Sequence, residues 1–88
     1  MEFQVETGRI FAADGEKLLC EVTFPVRDGV ATIDHTFVDD SLRGQGIAGQ
    51  LMEAAVAEIG KNGWKAHPTC SYAVKWFEKH PEAGGLLK

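Results

Sequence analysis

The 88-residue chain is poor in most of the residues that mark a specialised protein class. Cysteine occurs only at Cys20 and Cys70, far apart, so no disulfide framework is expected and reduced thiols are the default. Proline occurs three times, at Pro25, Pro68 and Pro81, which excludes a proline-rich linker and leaves each as punctuation between elements. Basic residues number nine against thirteen acidic ones, a net charge of −4, and they are scattered. Nucleic acid is therefore not expected as a partner, because phosphate binding needs a concentrated positive face. No apolar run approaches the roughly 18 residues of a membrane span, and the N-terminus MEFQVETGRI has neither the basic start nor the apolar core of a signal peptide. No membrane partner is expected, and a cytoplasmic location is.

What is present, 44% hydrophobic and 25% charged residues, suits an ordinary small globular fold, read as one domain over residues 1–88. Apolar periodicity divides it into a strand-rich first half and a helix-rich second half. Arg9 to Ala13 reads as a strand closed by the turn dipeptide Asp14-Gly15. Leu18, Cys20, Val22 and Phe24 alternate along a second strand, placing Cys20 in the core, and Pro25 ends it. After Arg27-Asp28-Gly29, Val30 to Val38 is rich in β-branched and aromatic residues and reads as one continuous third strand. That strand carries His35 and Phe37 on the same side as Ile33. Ile47, Leu51, Ala55 and Ile59, with Ala48, Met52 and Val56 beside them, form two rows on one helix face from about Gln45 to Gly60. Trp64 to His67 is a short fourth strand. Ser71 to His80 is an amphipathic helix halted by Pro81, and the tail through Leu86-Leu87 is left either docked or frayed. The order is β-β-β-α-β-α: a three-stranded antiparallel meander, a helix, a fourth strand parallel to the third by crossover, and a C-terminal helix.

The densest chemical signal is Arg43-Gly44-Gln45-Gly46-Ile47-Ala48-Gly49, between the third strand and the first helix. Glycines let main-chain N–H groups approach a ligand, and a starting helix adds its partial positive end, a combination suited to phosphate. Gly44, Gly46 and Gly49 match the dinucleotide fingerprint GxGxxG, yet Asp39 to Arg43 separate them from the strand, and no acidic residue ends the next strand to bind a ribose. A P-loop is excluded because no Lys-Ser/Thr pair follows. His67 and Cys70 share a His-x-x-Cys spacing, but two ligands make no metal site, and none is expected.

The same turn fits the pattern R/QxxGxG/A, preceded by Val38, and here the sequence resembles the GNAT superfamily of acyl-CoA-dependent N-acyltransferases. Cys70-x-x-Ala73 followed by Phe77-Glu78-Lys79 is similar to the superfamily's next helix. His35-Thr36-x-Val38, the RGQGIA turn, Pro68-x-Cys70-Ser71-Tyr72 and His80-Pro81-Glu82 together resemble a family of very short GNAT-like proteins, a match from Arg9 to Leu87. The resemblance implies a minimal GNAT-like fold that binds acetyl-CoA or coenzyme A. The N–H groups of Arg43, Gly44, Gln45, Gly46, Ile47 and Ala48 would hold the pyrophosphate, and the pantetheine arm would lie between the third and fourth strands near Phe37 and Val38. The acceptor would be an unidentified amine.

Two departures from the family pattern bear on chemistry. Phe77 stands where the superfamily often has a Tyr that protonates the departing thiolate, and Phe has no proton to give. Cys70 stands where Asn is usual. Three residues are therefore catalytic candidates: His35 as proton acceptor for the amine, Tyr72 as replacement acid, and Cys70 as a nucleophile near a helix start. For Cys70 the alternative is a small capping or core residue. Two rival functions fit the same residues: a coenzyme A binding module without catalysis, and a subunit whose acceptor site is completed by another chain or a second copy in a homo-oligomer.

Overall fold

The computed structural model describes all of residues 1–88, and its strands fall into two sheets. The larger has the order β1 (Gln4–Glu6), β2 (Arg9–Asp14), β3 (Lys17–Thr23) and β6 (His35–Val38), all antiparallel. The smaller contains β4 (Val26–Arg27), β5 (Val30–Ile33) and β7 (Lys65–Pro68), with β5 and β7 parallel. Helix α1 (Ile47–Lys61) is the crossover, and α2 (Ser71–Lys79) follows β7. Both helices pack on one side of the sheets. The expected antiparallel meander, linking helix and parallel pair are all present, and β1 is an additional edge strand.

The third strand is not continuous. Thr23 pairs with His35 and Val26 with Ala31, so Phe24 and Pro25 on one arm face Thr32, Ile33 and Asp34 on the other. One extra residue on one arm is a β-bulge, and it reverses the side-chain alternation beyond it. Ala31 and Ile33 are fully buried, whereas after the bulge Thr36 and Val38 turn inward and His35 and Phe37 face outward. The expectation that His35 and Phe37 share a side with Ile33 is corrected here, and the extra residue is the physical reason. Partners change at the same place. Ile33 C=O still bonds toward β7, accepting Thr69 N–H at 2.9 Å and Cys70 N–H at 3.2 Å, while Asp34 N–H already bonds Thr23 C=O at 3.2 Å.

The core lies between sheets and helices. Ile10, Cys20, Val22, Ala31 and Ile33 from the strands, with Phe24 just after β3, meet Leu51, Met52, Ala55 and Ile59 of α1, all completely buried. Those four helix residues lie at the predicted i, i+3 and i+4 spacings. On α2, Ala73, Trp76 and Phe77 form the inward side. The tail is docked: after the 3-10 helix Pro81–Leu86, Leu87 bridges to Ala66, and Lys88 N–H donates to Ala66 C=O at 3.0 Å. This covers the outer edge of β7, whereas β6, like β1, is an uncovered edge of the larger sheet.

Candidate active site

Because β7 ends at Pro68 and the chain turns into α2, nothing pairs with the free edge of β6. A wedge opens between β6 and the start of α2, and its closed end is Ile33 C=O, which also receives the Thr69 hydroxyl at 3.3 Å. Along β6, Asp39 N–H donates to Leu19 C=O at 2.8 Å. The antiparallel alternation set by that bond directs the main chain of Phe37 to Glu21 and the main-chain groups of Thr36 and Val38 into the wedge. Phe37 thus offers its partly exposed ring, and Val38 offers main-chain polar groups. Thr36, absent from the sequence-based candidates, offers the same groups as Val38. Only the bulge reveals that.

The glycine turn closes the wide end of the wedge. Asp39 caps the short 3-10 helix Asp40–Leu42, accepting from the Ser41 amide at 3.1 Å and the Ser41 hydroxyl at 2.6 Å. These bonds hold the Asp39 carboxyl below its ordinary pKa. Gly44 and Gly46 then adopt φ of +80° and +71°, the left-handed region that glycine enters without strain. A Cβ at either would meet no atom within 4 Å, so the space above the turn is open and the conformation alone calls for glycine. The first helical bond runs from Gln50 N–H to Gly46 C=O at 3.1 Å. From Gly44 through Gly49, six consecutive main-chain N–H groups consequently have no acceptor within the chain. Ile47, almost fully buried, anchors the turn to the core. Ala48 is half-buried and Gln45 exposed. Arg43 is exposed and pairs with Asp40 at 2.9 Å. A row of free donors at a helix start is chemically suited to an anion.

Cys70 is the N-cap of α2, its Sγ accepting the Ala73 amide at 3.4 Å, and its own N–H is one of the two on Ile33 C=O. It therefore lies at the closed end of the wedge, half-buried, as a free thiol. Tyr72, in the first turn of α2, reaches the first turn of α1: a Cβ on Gly49 would stand 3.9 Å from its phenol oxygen. Partial burial pushes the Tyr72 pKa up, which keeps the phenol protonated and a donor. Phe77, by contrast, is buried in the core side of α2.

His35 stands on the outer face of the larger sheet, just past the bulge, and meets Glu21, another residue absent from the sequence-based candidates. Its Nε2 lies 3.5 Å from Glu21 Oε1. Arg9 Nε donates to Glu21 Oε2 at 2.5 Å, and its guanidinium sits over the Phe11 ring at 3.7 Å. The carboxylate raises the pKa of the Arg9 guanidinium, chiefly through that hydrogen bond. No periodicity signals this cluster, because it depends on which side of the strand His35 faces.

The GCN5-related N-acetyl-transferase family matches residues 9–86. The chain is 30% identical to a GCN5-like protein of Staphylococcus aureus whose solution structure superposes with a TM-score of 0.81, covering 99% of this chain and 87% of that one. The ribosomal-protein-S18-alanine N-acetyltransferase of Escherichia coli, at 20% identity and a TM-score of 0.65, shares the fold over 81% of this chain and 49% of its own. Among curated relatives, the protein NATD1 of Xenopus tropicalis is 42% identical over 55 residues, and that of mouse 38% over 52. These alignments take in 60% and 59% of this chain but only 50% and 47% of the relatives, so the chain spans about half the length of the curated relatives it matches. The sheets, the wedge and the glycine turn define a small GNAT-like α/β fold. The chain belongs to the GCN5-related N-acetyltransferase family.

Proposed function

We propose that the protein transfers an acetyl group from acetyl-CoA to an amine. The observation that carries this reading is the row of six unpaired N–H groups from Gly44 to Gly49 at the wide end of a wedge whose β6 edge also has free main-chain groups. Both features suit one ligand with an anionic end and an amide-bearing arm. Strand residues rise about 3.3 Å each, so β6 provides about 13 Å of edge for such an arm.

In this reading the N–H groups of Gly44 to Ala48 bind the pyrophosphate, with Arg43 beside them once it leaves Asp40. Thr36 and Val38 bind the amides of the pantetheine arm, and the ring of Phe37 flanks it. Coenzyme A supplies the acyl group as a thioester. His35 takes the proton from the amine as its nitrogen bonds to the carbonyl carbon. A β6 main-chain N–H stabilises the oxyanion, and the carbon–sulfur bond then breaks, with Tyr72 giving its proton to the departing thiolate. Cys70 forms the wall at the closed end. Two free thiols agree with a reducing compartment, the cytoplasm.

Thermal unfolding with added ligand tests the donor. Coenzyme A and acetyl-CoA are expected to raise Tm, and NAD is not, since ligands stabilise only the state that binds them. Gly46→Val forces a branched residue into the left-handed region and places its side chain in the open space where the ligand would approach, and is expected to remove the shift while the chain still folds. Equal shifts with NAD, or none with coenzyme A, would overturn the assignment. Acetyl transfer to spermidine and to a peptide with a free N-terminus then separates an enzyme from a binding module.

A further inference from the structure

Glu21 is the least exposed charged side chain in any ion pair of the molecule, at 16% of its free area. It lies mid-strand on the face that no helix covers. Its two oxygens are divided between two partners. Oε2 accepts from Arg9 Nε at 2.5 Å, and Oε1 faces His35 Nε2 at 3.5 Å. Arg9 is itself held on three sides, by Glu21, by Glu6 at 3.3 Å and by the Phe11 ring beneath it. A carboxylate fixed through one oxygen cannot swing away, so the second oxygen keeps its aim at the imidazole. His35 is 52% exposed, and a small rotation of its ring closes the 3.5 Å separation to hydrogen-bond length.

We propose that Glu21, braced by Arg9, is a positioning residue that selects the His35 tautomer, leaving Nδ1 as the proton acceptor. The proposal rests on the reading of His35 as the group that deprotonates the amine. An ionised carboxylate only accepts hydrogen bonds, so the ring nitrogen facing it carries the proton and the other keeps its lone pair. Asp34, beside His35 in the chain, turns to the Thr23 hydroxyl, which donates to its Oδ1 at 2.5 Å, and Glu21 is the carboxylate that lies within ion-pair distance of the ring. The bulge is what makes the contact possible. Without the extra residue, His35 would point into the core, away from Glu21.

The test uses the full chain with 15N-labelled histidine and two readouts. Ring-nitrogen chemical shifts of neutral His35 are expected to show the Nε2–H tautomer in the native protein well in excess of the preference a free histidine side chain has for it. In Glu21→Gln, whose amide can present either a donor or an acceptor, that excess is expected to be lost. An unchanged tautomer ratio overturns the proposal whatever the activity. Kinetics with acetyl-CoA and spermidine supply the second readout. Glu21→Gln is expected to lower kcat by about tenfold to a hundredfold with the KM for acetyl-CoA unchanged, the pattern of a misoriented proton acceptor rather than a lost binding group. If Glu21→Gln does not fold, Glu21→Asp, which keeps the charge but shortens the reach, carries the same two measurements. His35→Gln separates the two claims. If that variant turns over at the native rate, His35 is not the proton acceptor and the reading of the site fails, while the tautomer measurement still decides whether Glu21 orients the ring.

Discussion

Val30–Ile33 and His35–Val38 are adjacent, of similar composition and equally suited to a strand, yet they have opposite fates. The first half lies between two partners, β4 and β7, with Ala31 and Ile33 completely buried. The second half has one partner, β3, and a free edge, and none of its residues is fully buried. β propensity cannot separate the two, since the scale reports fit to a pleated surface and not which surface. Two features outside that stretch divide it. Pro68 ends β7, and the extra residue at Asp34 changes both the partner and the inward side. The wedge is thus a place where an otherwise complete sheet is interrupted on one side only, so the open half of the strand gains its position from the closed half.

Breaking the closed half should have the largest effect. Ile33 lies beside the bulge and is completely buried, and Ile33→Ala is expected to cost about 2–5 kcal/mol through lost burial and the cavity left behind. A domain of this size has only about 4–13 kcal/mol in total, so the variant should unfold at markedly lower urea. His35→Ala, on the open half, should stay within about 0.5 kcal/mol of the native stability. Urea melts of the two compare the halves directly, and similar losses would mean that the open half also carries the fold.

The next contrast lies within the open half. Phe37 N–H belongs to the β3 ladder and Val38 N–H faces the wedge. Phe37→Pro should therefore destabilise strongly, by about 3 kcal/mol, while Val38→Pro keeps every ladder bond and should cost about 1 kcal/mol. Ligand response should run the other way. Val38→Pro is expected to remain folded and lose most of the Tm shift with coenzyme A, because it has lost a donor that faces the arm. A full shift in Val38→Pro would show that the β6 edge does not hold the ligand.

How far the sequence discloses this architecture follows from the range of each interaction. Helix α1 is legible because its core residues are three and four apart in one segment, and the glycine turn because its conformational demand is local. The parallel pair follows from the length of the crossover alone. The bulge is not legible, since it shows only when two strands are aligned, and with it go the outward side of His35, the inward main chain of Thr36 and Val38, and the Arg9–Glu21–His35 cluster. β4 is missed because a two-residue strand has no period. β1 is missed because all its residues are exposed, and the docking of Leu87 on Ala66 because it pairs residues remote in the chain.

The smallest expected effect concerns the cysteines, whose contrast separates two chemistries at the closed end of the wedge. Cys20 is completely buried, and burial pushes its thiol pKa up, so it remains protonated and resists alkylation until the chain unfolds. Cys70 is accessible, and its sulfur already caps α2. Serine is a stronger cap than cysteine, so Cys70→Ser should change stability by less than about 1 kcal/mol. If the amine attacks the thioester directly, as proposed, that variant should retain most of its turnover, and no acyl group should be found on Cys70 after rapid quench of the native protein with acetyl-CoA. An acyl-cysteine that forms and decays at least as fast as turnover would instead make Cys70 a nucleophile in a two-step reaction. A disulfide between Cys70 and coenzyme A under oxidation would establish only that the two sulfurs meet. Mass spectrometry of the quenched protein distinguishes the adducts by mass, and Cys20, untouched in both cases, serves as the internal control.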